Sequence, residues 1–260
     1  MPAALLSTRH GATMVLTLSH PERHNALGPE FWAAGVEALS VAESSAEVAS
    51  VVIAGAGALF SVGHDLEQLL ASRREPASHQ VALTEGLHSW VEAIRSFPKP
   101  VVAAVEGAAS DAGFALALAC DFIVAGRSAQ FAMASGVLGL SPDGGASWSL
   151  ARALPRQLAS EMLMLGTRLG AERLHTLGVV NRLCAPGAAL HEALALTEQL
   201  NARAPHALAS AKELLADAEA ATLPEQLARE RDHFVANLHH ASTGAAIAAF
   251  RQQRGASPIA

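Results

Sequence analysis

Apolar positions fall into two alternating patterns over the first three quarters of the chain. Ala4–Thr8 and Thr13–Leu18 are short strand-like runs, with a turn expected at His10-Gly11. Val48–Ala54, Pro100–Val105 and Phe122–Ala125 are rich in β-branched and small apolar residues, which suits strands buried on both faces. Between them the period changes. Phe31, Trp32, Val36 and Leu39 share one face of a helix that opens at Gly28-Pro29, with proline at its first position. Leu83, Leu87, Trp90, Val91 and Ile94 mark a second helix. It stops at Phe97-Pro98-Lys99-Pro100, because a residue before proline avoids the helical region. Strands that alternate with helices predict βαβ-like units and an α/β fold. Beyond about Gly187 the pattern is almost purely helical, interrupted near Pro205 and Pro224, with Leu223, Leu227, Phe234, Val235 and Leu238 as one apolar stripe. A boundary near residue 200 divides a 1–200 core from a 201–260 helical region.

Composition narrows the class. A chain of 260 residues, 51% hydrophobic and 16% charged, can bury a substantial core and is not a disordered sequence. Much of the apolar fraction is alanine, which favours close helix contacts or subunit interfaces. A net charge of −6 argues against a general nucleic-acid binder, whose affinity depends on clustered Lys and Arg. No apolar run approaches the roughly 20 residues that cross a bilayer, and Met1–His10 has no signal-peptide pattern. Cys120 and Cys184 lie far apart in apolar surroundings and read as free thiols. A cytoplasmic location is therefore expected, with no nucleic-acid or membrane partner.

Several familiar motifs fail. Gly55-Ala56-Gly57-Ala58-Leu59-Phe60 begins like a dinucleotide fingerprint but places Phe60 where a small residue must pack. There is no phosphate-binding Gly-Lys-Ser/Thr, and Gly139-Leu140-Ser141-Pro142-Asp143 is not a serine nucleophile elbow. His20 and His24 flank Pro21 without a further ligand, and His239-His240 also reads as surface, so no metal site is expected.

Three glycine-containing turns leave the predicted strands: Leu59–Leu66, Lys99–Gly107 with its continuation through Ala112-Gly113, and Gly139–Gly145. Exposed N–H groups at such turns can bind a developing oxyanion, although glycine also serves any tight turn. In order and spacing the chain resembles the crotonase, or enoyl-CoA hydratase/isomerase, superfamily. Pro21-Glu22-Arg23-His24-Asn25-Ala26-Leu27 is similar to its Pro-x-Lys/Arg-x-Asn-Ala-Leu signature, and Phe60–Leu66 to its Phe-x-x-Gly-x-Asp-Leu loop. Lys99–Asp121 and Thr167–Val180 match two further stretches. The resemblance implies a spiral of ββα repeats followed by a helical trimerisation region, giving a homotrimer or hexamer. It also implies an acyl-CoA thioester substrate, no separate cofactor, and two backbone N–H groups, here of His64 and Ala112, that hold the thioester oxygen. Coenzyme A contacts would fall on Arg23, Ala26, Ser61, Gly63 and Arg254.

Departures from the pattern bear on the reaction. The two glutamates of family hydratases correspond to Ala115 and Ser135, neither of which exchanges protons near neutral pH. Asp143 resembles the aspartate of isomerase members, notably the phenylacetate-pathway type. A single carboxylate can move a double bond from the 3-enoyl to the 2-enoyl position by removing a proton at C2 and returning it at C4. Such a base works best when an apolar pocket raises its pKa. Asp143 could instead cap a helix beginning near Gly144. Asp65 and Asp121 correspond to fold-shaping positions, and the His64 imidazole is left without an assigned role. Other readings are a naphthoyl-CoA synthase-like or dehalogenase-like enzyme, and an acyl-CoA binder without turnover.

Overall fold

The computed structural model describes residues 3–256, with side chains through Gln252. The chain divides into two compact units, one ending at Asn201 and the other beginning at Ala202.

The first unit opens with the hairpin β1 (Ala4–His10) and β2 (Thr13–Ser19), then α1 (Pro29–Ser44) and β3 (Ser50–Gly55). The turn falls at Gly11-Ala12, one residue later than expected, because Gly11 takes the left-handed φ of 59°. Next come α2 (Leu66–Ser72), α3 (Ala77–Ser96), β4 (Val101–Val105), β5 (Ala108–Ser110) and α4 (Ala112–Ala119). They are followed by β6 (Phe122–Gly126), β7 (Gln130–Ala132), α5 (Ala146–Ala153), α6 (Arg156–Leu165), β8 (Leu169–Gly170) and α7 (Ala171–Thr176). β9 (Arg182–Cys184) and α8 (Ala189–Asn201) complete the unit.

Two sheets arise from one repeated step. The main sheet has the order β1-β2-β3-β4-β6-β9 and is parallel from β2 onward. After each central strand the chain adds a short segment to a second sheet before turning into helix: β4 leads to β5, and β6 to β7. β3 leads to Ser61, which bridges in parallel to Ala109. This is the expected ββα spiral.

Alternation along the strands explains the layering. Leu16, Val51, Ile53, Val101, Ala103 and Val105 face a core shared with α1, α3 and α4. Val15, Val52, Val102, Ala104 and Val124 face Ala189, Ala193 and Leu196 of α8. Both faces are covered, so these strands read as unbroken apolar runs. Lys99 ties off three carbonyls at the C-terminal end of α1, those of Ala42, Glu43 and Ser45. Asp121 accepts the Val101 N–H at 2.8 Å, a fold-shaping role.

The second unit holds α9 (Pro205–Ala218), α10 (Leu223–Leu238) and α11 (Thr243–Ala256). Pro205 and Pro224 stand in first turns and start these helices, and a capping box of Thr222 and Glu225 closes the entry to α10. Leu223, Leu227, Phe234, Val235 and Leu238 form the expected stripe and are exposed. Among the described residues no helix is long and apolar enough to cross a membrane, and Cys120 and Cys184 are free thiols.

One close contact sets the spacing of α1 and α3. A Cβ on Gly35 would come within 2.1 Å of the fully buried Trp90 ring. Gly35→Ala gains up to about 1 kcal/mol of helix propensity. Overpacking against a ring with nowhere to move costs about 1–3 kcal/mol or more. A net loss of stability is expected, read as a lower urea midpoint with an unchanged slope.

Candidate active site

The site forms where two successive turns of the spiral touch. Phe60 N–H donates to Glu106 O at 2.9 Å, Ser61 N–H to Ala108 O at 3.0 Å, and Ser110 N–H to Ser61 O at 2.9 Å. This pairing carries Gly63 against the next turn. A Cβ there would lie 2.7 Å from Ser110 O, 2.8 Å from Asp111 Cβ and 3.2 Å from Ala112 N, and its φ is +91°. Only glycine fits on both counts.

The backbone of residue 64 is thus placed beside that of residue 112. Leu27 N–H donates to Gly63 O at 2.7 Å and Asp65 N–H to Leu27 O at 3.1 Å, which turns the intervening His64 N–H away from that pairing. Ala112 is the first residue of α4, where a helix has no internal acceptor for its N–H and carries partial positive charge. Among the described residues neither N–H has a protein acceptor.

The Asn25 segment braces this geometry. Asn25 is fully buried with a left-handed φ of 53°. Its side chain accepts from His20 N–H at 2.9 Å and donates to Ala56 O and Leu59 O at 2.8 and 2.9 Å. Ser61 Oγ donates to Asn25 O at 2.7 Å and accepts Gly63 N–H at 3.1 Å. Ser61 has no exposed surface, and its side chain braces this corner. Ala26 is buried beside it, and Gly63 acts as the spacer described above.

Arg23 is engaged within the protein: its guanidinium donates to Asp65 Oδ2 at 2.8 Å and pairs with Glu67 at 2.6 Å. A coenzyme phosphate would have to share it with two carboxylates. Asp65 caps α2, accepting from Glu67 N–H at 2.9 Å and Gln68 N–H at 3.2 Å. Arg254 lies in α11, with its side chain outside the described residues.

Asp143 does not cap a helix. The N-cap of α5 is Gly145, with no side-chain cap bond, and Asp143 contributes only its main-chain oxygen to Ala146 N–H, at 3.0 Å. Its carboxylate turns inward, and Oδ2 lies 2.5 Å from His64 Nε2. Both side chains are about a quarter exposed or less, and the Trp32 ring stands edge-on to the imidazole at 6.2 Å. The backbone of this loop is also close: a Cβ on Gly144 would stand 2.9 Å from the buried Ala115 methyl. The loop that carries Asp143 therefore passes close to the Ala115 methyl. A cavity beside His64 is lined by Trp32 of α1, Gln68 and Ser72 of α2, and Gln80, Leu83 and Thr84 of α3.

Two features escaped the sequence. The His64 side chain had no legible role, because its partner is 79 residues away. Asp111 precedes a helix, where aspartate reads as an N-cap, yet it makes no cap bond. Its φ of 45° and ψ of −121° belong to a region that non-glycine residues occupy at a cost of roughly 1–3 kcal/mol. Its Oδ1 accepts Ser135 N–H at 2.9 Å. Burial pushes its pKa above the usual carboxylate range, against the pull of Ser135, Ala134 and His64.

Two backbone N–H groups without a protein acceptor among the described residues thus stand near an inward-turned carboxylate on a spiral of ββα steps. Comparison with known proteins identifies the family. The enoyl-CoA hydratase/isomerase family profile matches residues 8–257, and the chain belongs to that family and has its crotonase fold. It is 34% identical to the 1,2-epoxyphenylacetyl-CoA isomerase of Escherichia coli K12 over 230 residues, 88% of each chain. It is 31% identical to the 2,3-dehydroadipyl-CoA hydratase of the same organism over 254 residues, 96% of each. An enoyl-CoA hydratase crystal structure from Polaromonas sp. JS666 superposes with a TM-score of 0.95 at 59% identity, covering 96% of this chain and 97% of that one.

Asp65 makes a pH-dependent contribution to stability. Burial raises its pKa, but the bonds from Gln68, Arg23 and Glu67 outweigh it and hold the carboxyl below its ordinary value. A depressed folded-state pKa stabilises above the unfolded pKa and loses that stabilisation as pH falls through the folded one. Asp65→Asn is expected to cost about 1–3 kcal/mol at pH 7. In chemical denaturation across pH, the gap to the parent should close below the ordinary carboxylate range.

Proposed function

We propose that the protein moves a double bond in an acyl-CoA thioester, from the 3-enoyl to the 2-enoyl position. The thioester oxygen sits between the N–H groups of His64 and Ala112, which strengthen as the enolate forms. Loss of one such donor typically costs about 2.7–4 kcal/mol of barrier, so two of them account for much of the acidification of C2. Asp143 is the single base that takes the C2 proton. The resulting dienolate is protonated at C4.

The observation that carries this reading is the 2.5 Å contact between His64 Nε2 and Asp143 Oδ2, because it fixes a carboxylate beside one of the two free N–H groups. Ala115 and Ser135 offer no acid–base group in the positions where the family's hydratases carry glutamates. The isomerase among the relatives supports the same direction. Hydration is the second reading, favoured by the hydratase relatives. Arg23 and Arg254 are assigned to the coenzyme phosphates. The exposed stripe of α10 is assigned to self-association into trimers or hexamers in the cytoplasm.

Incubation with a 3-enoyl-CoA in deuterated water should give the 2-enoyl isomer with deuterium incorporated and no added water. A hydrated product would favour the second reading. Asp143→Ala should lower turnover by at least ~10²–10⁴-fold, the usual worth of a positioned base, while coenzyme A binding persists. An unchanged rate in that variant would remove Asp143 from the mechanism.

A further inference from the structure

The route above leaves a second carboxylate of the site unused. Asp111 immediately precedes the Ala112 donor, and its Cβ packs where a Cβ on Gly63 would come within 2.8 Å. Its main chain is fixed on both sides, N–H to Ala132 O at 3.0 Å and C=O from Ala115 N–H at 2.8 Å. The side chain does not bond the helix it precedes. Its Oδ1 takes Ser135 N–H at 2.9 Å, and hydrogen bonding from Ser135 and Ala134 opposes, without overcoming, the burial that favours the protonated form. The residue is half-buried, and the His64 imidazole is near enough to act on it electrostatically. A carboxylate therefore stands where the backbone suits glycine, between a free oxyanion donor and a titratable ring. A strained side chain that does no capping calls for another account.

We propose that Asp111 is the acid of the reaction, delivering the proton to C4 of the dienolate that Asp143 creates at C2. The inference deepens the isomerase reading and rests on it. The C2–H bond breaks and its proton passes to Asp143, while the electron pair spreads over the dienolate. The Asp111 O–H bond then breaks as the C4–H bond forms. Asp143 is left protonated and Asp111 ionised. His64 touches the first and is felt by the second, so it is placed to return the proton between turnovers, and no net proton is gained or lost. The burial that favours a protonated Asp111 suits a donor, as a raised carboxyl pKa does in general acids.

The test separates removal from return. Asp111→Asn keeps an oxygen for Ser135 N–H and cannot donate a proton. It should lower isomerisation by ~10²-fold or more, while exchange of the C2 hydrogen of a 3-enoyl-CoA with deuterated water continues at the parent rate. Asp111→Gly should show the same split with an unchanged or higher melting temperature, since the backbone is relieved. If Asp111→Asn isomerises at the parent rate, or loses exchange and isomerisation in equal measure, Asp111 is not the acid. A parent protein that neither isomerises nor exchanges at C2 would instead overturn the enolate route, and this inference with it.

Discussion

Everything in the candidate site depends on how closely two backbones approach at Gly63. The pairing of Phe60 and Ser61 with residues 106–110 aligns two turns of the spiral, and the missing side chain at 63 lets them meet. Any Cβ would push residues 110–112 outward and separate the His64 and Ala112 N–H groups. The buried Asn25 and Ser61 hold the same corner from behind, with polar groups satisfied at nearly every position. Their cost of burial is met by backbone partners, so they fix geometry without entering the chemistry.

The carboxylates of this corner have different environments. Asp65 accepts a guanidinium and two N–H groups, which hold it ionised as a structural cap. Asp143 faces an imidazole, and Asp111 is desolvated with Ser135 and Ala134 as its hydrogen-bond partners. Asp65 and Asp111 are shifted in opposite directions, because hydrogen bonding prevails at the first and desolvation at the second. Ala115 and Ser135 are small, and the loops of Asp143 and Asp111 reach them: one stands over the Ala115 methyl, and the other bonds the Ser135 N–H.

The strands and the two long helices of the first unit could be read from sequence because each is buried in a regular pattern. Val51, Val52, Ile53 and Val101–Val105 are buried on both faces, and Leu87, Trp90, Val91 and Ile94 line one side of α3. The segments around Asn25, Gly63 and Ala112 were legible as motifs, since their residue types answer local backbone demands. Side-chain direction was not. Aspartate just before a helix favours a cap by local rules, but Asp143 lies three residues ahead of α5 and its carboxylate meets His64 instead. The ion pairs of Arg23 were not legible, because its partners, Asp65 and Glu67, are more than forty positions away. Asp111 was hidden by a backbone conformation that no propensity anticipates.

His64 contributes to the site twice, through its main chain and through its ring, and these two contributions respond differently to mutation. The N–H belongs to every amino acid except proline, so codon changes at 64 other than to proline leave the proposed oxyanion donor intact while replacing the group that greets Asp143. On that proposal, evolution can vary the proton chemistry of such a scaffold without first dismantling its means of holding an enolate. A position of this kind is a natural branch point for a lineage whose members share a fold and an intermediate but part ways over its fate.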